Sequence, residues 1–288
     1  MQTRRTFLQS AAATSAAMVL GNPSGLIAKD ADNRRIRKAV KYHMVTEGET
    51  ILDKFKLVKD VGFDGIEIRT REKIDKTAAL KASQITELPI HGVINSSDPD
   101  IKSAIELSKY FGGTSVLVVA GRVTKDVSYD ANYRSTQSII RQAIPTAEKH
   151  GIKILVENVW NNFLLSPMEM ARYLDEFDSP FVGAYFDIGN VVRFGFPDQW
   201  IRILGKRIGK LDVKEYSRKL QKDEGLWKGF NVEIGDGDAD YASVRTALND
   251  IGYVDGWATA EVKGGDRERL KFIADRMDRE LQLKRQPK

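Results

Sequence analysis

Between Val40 and Leu283 the sequence repeats one pattern eight times: a short run of β-branched and apolar residues, then a longer stretch with the apolar spacing of a helix. Val40–Val45 (VKYHMV), Gly65–Arg69 (GIEIR), Leu88–Asn95, Ser115–Ala120, Ile152–Val159, Val182–Ile188, Ile208–Val213 and Trp257–Val262 read as strands. Helical spacing follows them at Ile51–Val61, Lys73–Thr86, Asp100–Phe111, Tyr133–His150, Pro167–Phe177, Asp198–Leu204, Tyr241–Ile251 and Arg267–Leu283. Gly62, Gly112 and Gly151 punctuate the helix ends, and Ser166-Pro167 has the form of a helix start. Strands joined by helical crossovers run parallel, and eight of them close on themselves, so the reading is an α/β chain forming a single (β/α)8 TIM barrel over about residues 36–285. An open doubly wound sheet is the competing architecture. It calls for a glycine-rich phosphate turn after the first strand, and YHMVTEGET contains no G-x-G-x-x-G.

Four of the strands end in a carboxylate: Glu157, Asp187, Asp212 and Glu261. An acid at the end of a strand buried on both faces is costly to place, and in a barrel the carboxyl ends of all strands open on one face. The four acids are therefore expected to converge. Four carboxylates cannot all stay ionised in one pocket, and a divalent cation would resolve the repulsion. All-oxygen ligation suits Mn²⁺ or Mg²⁺, with Co²⁺ also admissible. The alternative is that each acid pairs with a nearby base such as Lys210, Lys214 or Lys263. The rhythm breaks after the seventh strand, where Lys214–Gly237 forms a long polar connection of the kind that serves as a lid or substrate contact.

The first 28 residues read differently. Arg4-Arg5-Thr-Phe-Leu-Gln leads into AAATSAAMVLG, an apolar run too short and too weakly hydrophobic to span a bilayer, and this resembles a twin-arginine export signal. Periplasmic export is the expectation. The net charge is +5, of which Arg4 and Arg5 lie in this segment, leaving +3 for the rest. No lysine- and arginine-rich stripe interleaves with aromatics, which argues against nucleic acid as a partner. The absence of cysteine excludes disulfides, thiolate metal sites and cysteine nucleophiles. No stable membrane span is expected once the leader is removed, and a homodimer is the default assembly for a barrel.

VEN on strand five, FDIGN on strand six, DVKEY on strand seven and the block IGDGDADYASVRTALNDIGYVDGWATAEV together resemble the xylose isomerase-like TIM barrels, the sugar isomerase/epimerase and endonuclease IV superfamily. The resemblance covers nearly all of the chain after about Lys38. It implies one divalent metal held by Glu157, Asp187, Asp212 and Glu261. It also implies proton abstraction next to the carbonyl of a keto sugar through an enediolate, with Glu157 and Glu261 as base and acid. Two positions depart from the family pattern. Asp212 stands where a strand-seven histidine is usual, and Asn190 stands three residues after Asp187 where another is often found. A 3-keto-glycoside lyase would share the first step, and a non-catalytic sugar-binding barrel would keep the fold alone. An endonuclease IV-like site is disfavoured because it is rich in histidine and this chain has three.

His43, Glu67, His91, Asn190 and Lys214 are the candidate substrate contacts at or near the strand ends; of Glu67 and Arg69 only one need face the pocket, the other facing a helix, and Lys214 has a pair with Glu215 as its alternative. For the two histidines a core or rim position with a backbone partner is an equal alternative. Trp160, Phe163, Phe194, Phe196, Trp227 and Phe230 fall in the loops after strands five to seven, where they could stack on sugar faces or pack the loops together.

Overall fold

A computed structural model of the chain describes residues 36–283. The export segment expected at residues 1–28 lies outside the described residues. Eight parallel strands close into a barrel in sequence order: β1 (Arg37–Lys41), β2 (Gly65–Arg69), β3 (Ile90–Ser96), β4 (Ser115–Val118), β5 (Lys153–Glu157), β6 (Val182–Asp187), β7 (Ile208–Val213) and β8 (Trp257–Ala260). The ring is sealed by β1 pairing with β8, Ala39 opposite Thr259 and Val40 opposite Ala260.

Around it run α1 (Ile51–Asp60), α2 (Lys76–Thr86), α3 (Ile101–Phe111), α4 (Tyr129–His150), α5 (Pro167–Asp175), α6 (Ile188–Val192), α7 (Pro197–Leu204), α8 (Arg218–Glu224), α9 (Tyr241–Asp250) and α10 (Arg267–Leu281). Their starts follow local chemistry: Thr50, Asp75, Asp100, Ser128, Ser166, Ser217, Asp240 and Asp266 each accept a hydrogen bond from a first-turn N–H. Thr50 and Asp53 complete a reciprocal capping box, and Gly112 and Gly151 end α3 and α4 in the left-handed conformation. The polar connection after β7 is not free of structure. It holds α8 and a 3-10 turn at Leu226–Phe230.

The first strand differs from expectation. It occupies Arg37–Lys41, and the Tyr42–Met44 segment placed in it by the apolar pattern is a 3-10 turn. The start lies earlier because Lys38 is buried, 4% exposed, with its ammonium satisfied by a distant partner, as is that of Lys41, 3% exposed, which the expected strand included. Lys38 Nζ meets Asp278 at 2.5 Å from the barrel's outer side. A hydropathy pattern reads both residues as solvent-facing, although a lysine paired with a carboxylate can sit inside.

Side chains alternate along a strand, so the residue two before each strand-end acid shares its face. Leu155, Tyr185, Lys210 and Thr259 accordingly form a layer beneath Glu157, Asp187, Asp212 and Glu261, all inside the barrel. Leu155 and Tyr185 join Ile94 and Leu117 in a small apolar plug, while the main core lies between strands and helices.

Candidate metal and sugar site

The four carboxylates meet. One oxygen from each of Glu157, Asp187, Asp212 and Glu261 lies within 4.8 Å of the others at the carboxyl ends of β5 to β8. Asp187 and Asp212 are fully buried, Glu157 is nearly so, and the Glu261 side chain is about a third exposed. Asp187 is the most tightly set. Its N–H donates to Asn158 Oδ1 at 2.8 Å, Asn158 Nδ2 donates back to its carbonyl at 2.9 Å, and its Oδ1 accepts from the Asn190 N–H at 2.8 Å. Asn190 Nδ2 in turn donates to the Asn158 carbonyl at 3.0 Å. The asparagine of VEN thus locks the end of β6 to the end of β5, a task the sequence motif did not disclose.

Two ammonium groups enter the cluster. Lys214 Nζ lies 3.1 Å from Asp187 Oδ2 and 2.8 Å from Glu261 Oε2. Lys41 Nζ lies 2.9 Å from Asp212 Oδ2 and 3.0 Å from Glu261 Oε1. Glu261 is held on both oxygens, so although burial pushes its carboxyl up, Lys41 and Lys214 bring it down well below the ordinary value. Burial pushes Glu157 up to about 8, helped by the charge of Glu261, and pushes Asp187 up to about 6 against the pull of Lys214. Asp212 is driven well up by burial, which Lys41 only partly offsets. Four carboxylates against two ammoniums leave a deficit of two charges. Protons can fill it, which is what the raised carboxyls express, or one divalent cation can.

The donor set fits a cation. Asp212 Oδ1 is buried with no hydrogen-bond partner among the described residues, a costly state for an isolated oxygen. Of the bases expected as alternative partners for the acids, Lys214 does pair with two of them, Asp187 and Glu261, whereas Lys210 pairs with none of the four. Lys210 Nζ instead donates to the carbonyl and Nδ1 of His91 at 2.7 and 2.8 Å.

Above the acids is a cavity of about 510 Å³, floored by Glu157, Asn190, Lys214 and Glu261 and walled by Trp160, Trp227 and Phe230. Asn190 and Lys214, two of the expected substrate contacts, line this cavity. Glu67 and His91 do not line it: the expected place of Glu67 at the mouth is corrected, and His91 takes the core position that was its alternative. Glu67 is 0% and His91 3% exposed. Tyr185 OH donates to Glu67 Oε2 at 2.9 Å and lies 2.8 Å from Thr259 Oγ1; the His91 ring stacks on Trp257 at 4.2 Å. Both belong to the layer below the acids, because His91 is the second residue of β3 rather than one near its end. His43 is exposed on the rim and pairs with Arg69 Nη2 at 2.8 Å, outside the cavity lining. Partial desolvation of its ring against neighbouring atoms, with the charges of Arg69 and Lys41, brings the imidazole down to about 4 although the residue as a whole is exposed.

The family model described as xylose isomerase-like TIM barrel matches residues 97–283. The chain belongs to that family. No curated protein sequence matches it. Among solved structures it is similar to the 3-keto-D-glucoside 4-epimerase YcjR from E. coli, with 17% identity, a TM-score of 0.71, and coverage of 85% of this chain and 99% of that one. It is also similar to a D-allulose 3-epimerase from Methylomonas sp. (17% identity, TM-score 0.68, 86% and 99% covered). An L-ribulose 3-epimerase shares 15% identity with a TM-score of 0.69 over 86% of this chain and 95% of that one. At these identities the likeness establishes the family's barrel.

Proposed function

We propose that this xylose isomerase-like barrel is a sugar epimerase or isomerase that moves a proton on a carbon next to a carbonyl, with one divalent cation held by Glu157, Asp187, Asp212 and Glu261. The observation that carries the reading is the meeting of four strand-end carboxylates with a charge deficit of two, Glu157 and Glu261 on the floor of an open cavity and Asp187 and Asp212 buried behind them. Mn²⁺ or Mg²⁺ suits the oxygen donors, with Co²⁺ admissible. When bound, such an ion supplies Lewis acidity toward a carbonyl and its neighbouring hydroxyl.

The protein's own groups supply the proton traffic. Glu157 and Glu261 both reach the cavity, and their environments differ: Glu261 is held ionised by the ammoniums of Lys41 and Lys214, while burial favours the protonated form of Glu157 as long as no cation takes that proton's place. A pair poised in this way can take a proton at one carboxylate and return one from the other carboxyl. Returning it to the same carbon gives an epimer; returning it to the neighbour gives an isomer. Asn190 and Lys214 line the floor and are suited to hold sugar hydroxyls, and Asp187 and Asp212 act as ligands and as fixed charge.

A 3-keto-glycoside lyase is the second reading, supported by the likeness to an epimerase of 3-keto-D-glucosides. Loss of the proton at carbon two would then be followed by expulsion of the group at carbon one. Export through the twin-arginine-like leader and assembly as a homodimer complete the proposal.

Solvent deuterium exchange tests it. Keto sugars and 3-keto glycosides incubated in D₂O with Mn²⁺ should take up deuterium next to the carbonyl, and both EDTA and Glu157→Gln should stop the uptake. If metal-loaded wild type exchanges nothing across that panel, the catalytic reading fails and a sugar-binding barrel remains.

A further inference from the structure

Trp227 is 67% exposed, an unusual state for the side chain that gains most from burial. It lies on the 3-10 turn Leu226–Phe230, and its ring leans on Trp160 at 5.1 Å and on Phe230 at 6.4 Å. Those two rings are themselves fixed. Trp160 Nε1 donates to the Asn190 carbonyl at 2.8 Å, and Trp160 and Phe230 pack 4.8 Å apart, with Tyr216 at 5.4 Å from the first and 4.8 Å from the second. Tyr216 OH in turn donates to the Leu226 carbonyl at 2.8 Å, holding the start of the turn. The aromatic wall is therefore a built surface rather than a loose loop, and Trp227 is the part of it left facing solvent.

The wall is continuous with the catalytic floor. Trp160, Trp227 and Phe230 line the same 510 Å³ cavity as Glu157, Lys214 and Glu261, and Lys214 Nζ stands 5.3 Å over the Phe230 ring. That volume lies within the range that holds drug-sized ligands of more than one ring. Trp227 and the two acids line one cavity, so a ligand held at the carboxylates has the 67% exposed indole as a further face to cover. Flat aromatic faces bind the C–H faces of a second ring, by apolar burial and stacking, without reading its hydroxyl pattern.

We propose that Trp227, backed by Trp160 and Phe230, forms a second subsite for the ring-bearing group attached to the reacting sugar, so that the protein's ligands are glycosides with two rings rather than free monosaccharides. This rests on the sugar-site reading above and adds the substrate class to it. The chemistry is shared by a second pyranose and an aryl aglycone, and the test separates them.

Affinities are to be measured calorimetrically with Mg²⁺ present for methyl glucosides of both anomers, phenyl glucosides of both anomers, cellobiose and maltose. Wild type should bind the two-ring ligands about tenfold more tightly than the methyl glucosides, equivalent to ~1.4 kcal/mol. Trp227→Ala should reduce that ratio to about one and Trp227→Phe should restore most of it. A preference confined to the phenyl glucosides identifies an aryl group, and one confined to the disaccharides identifies a second sugar. Equal affinity for one- and two-ring ligands in wild type, an unchanged ratio in Trp227→Ala, or no binding of any of them or of their 3-keto derivatives would overturn the proposal. The same proteins assayed for deuterium exchange keep the two readings apart. Exchange with no two-ring preference removes only the subsite, whereas two-ring binding without exchange in any keto sugar removes only the catalysis.

Discussion

Replacing Lys41 by methionine would take the ammonium out from between Asp212 and Glu261 while keeping most of the side chain's length. In the wild type that ammonium stands 2.9 Å from the Asp212 carboxylate and 3.0 Å from that of Glu261. At an effective dielectric constant of about 20, each ion pair has a gross Coulomb energy of roughly 5–6 kcal/mol. Most of that is already set against the cost of desolvating three charged groups, so the useful magnitude is that for removing one partner of a buried pair, about 3–5 kcal/mol. For a domain of this size each kcal/mol moves Tm by about 2–4 °C, so metal-free Lys41→Met should melt about 6–20 °C below wild type. The charge deficit of the floor also grows from two to three, which makes a divalent cation more welcome. Thermal melts in EDTA and again with saturating Mn²⁺ read both effects, and the rise in Tm on adding the ion should be larger in the variant than in wild type. If the two proteins melt together in EDTA, or gain equally from Mn²⁺, then Lys41 is not part of the cluster's charge balance and the deficit of two does not describe the floor.

Glu215 points away from the cluster, and its buried carboxylate accepts backbone N–H groups from Tyr216, Gly235 and Ala239 at 2.9–3.0 Å. Glu215→Ala should cost about 2–5 kcal/mol and make the 230–239 segment the first site of limited proteolysis. A Cβ at Gly189 would come within 2.8 Å of the Lys214 backbone carbon, so Gly189→Ala should push β7 and α6 apart. Overpacking of this kind costs about 1–3 kcal/mol, and Mn²⁺ affinity by titration should fall with it. The histidines give a pH dependence of definite sign. Burial, with Lys210 and Arg37 nearby, holds His91 well below its ordinary 6.5, and His43 is brought down to about 4. Below pH 6.5 the unfolded chain therefore takes up protons that the folded one refuses, so their contribution to stability is complete at higher pH and declines as pH falls, for His43 until about 4. The raised carboxyl of Glu157 acts in the opposite sense, so the comparison to make is between wild type and His43→Asn/His91→Gln. Urea denaturation at about pH 7.5 and 5.5 should show wild type losing more stability on acidification than the double variant; equal losses would contradict the assignment.

The sequence by itself determined the eight-fold alternation and the four acids at the ends of β5 to β8. Both are local properties: periodicity reports which face of an element is buried, and a strand's last residue must lie at its mouth once the sheet is parallel. Ser166-Pro167 and Gly151 were legible as helix boundaries for the same reason, since capping involves residues only a few positions apart. Tertiary structure alone decided what those acids meet. Lys41 reaches Asp212 across 171 positions, and nothing adjacent to either residue signals the contact. Lys38 is hidden in the same way, its partner Asp278 lying 240 positions on, and a lysine that reads as solvent-facing is why the apolar pattern starts β1 late and displaces it toward Val45. Depth in the barrel was likewise hidden. Whether an inward residue such as Glu67 or His91 lies at the mouth or one layer down depends on where its strand begins and on the stagger with its neighbours. Both are settled only when β1 closes on β8.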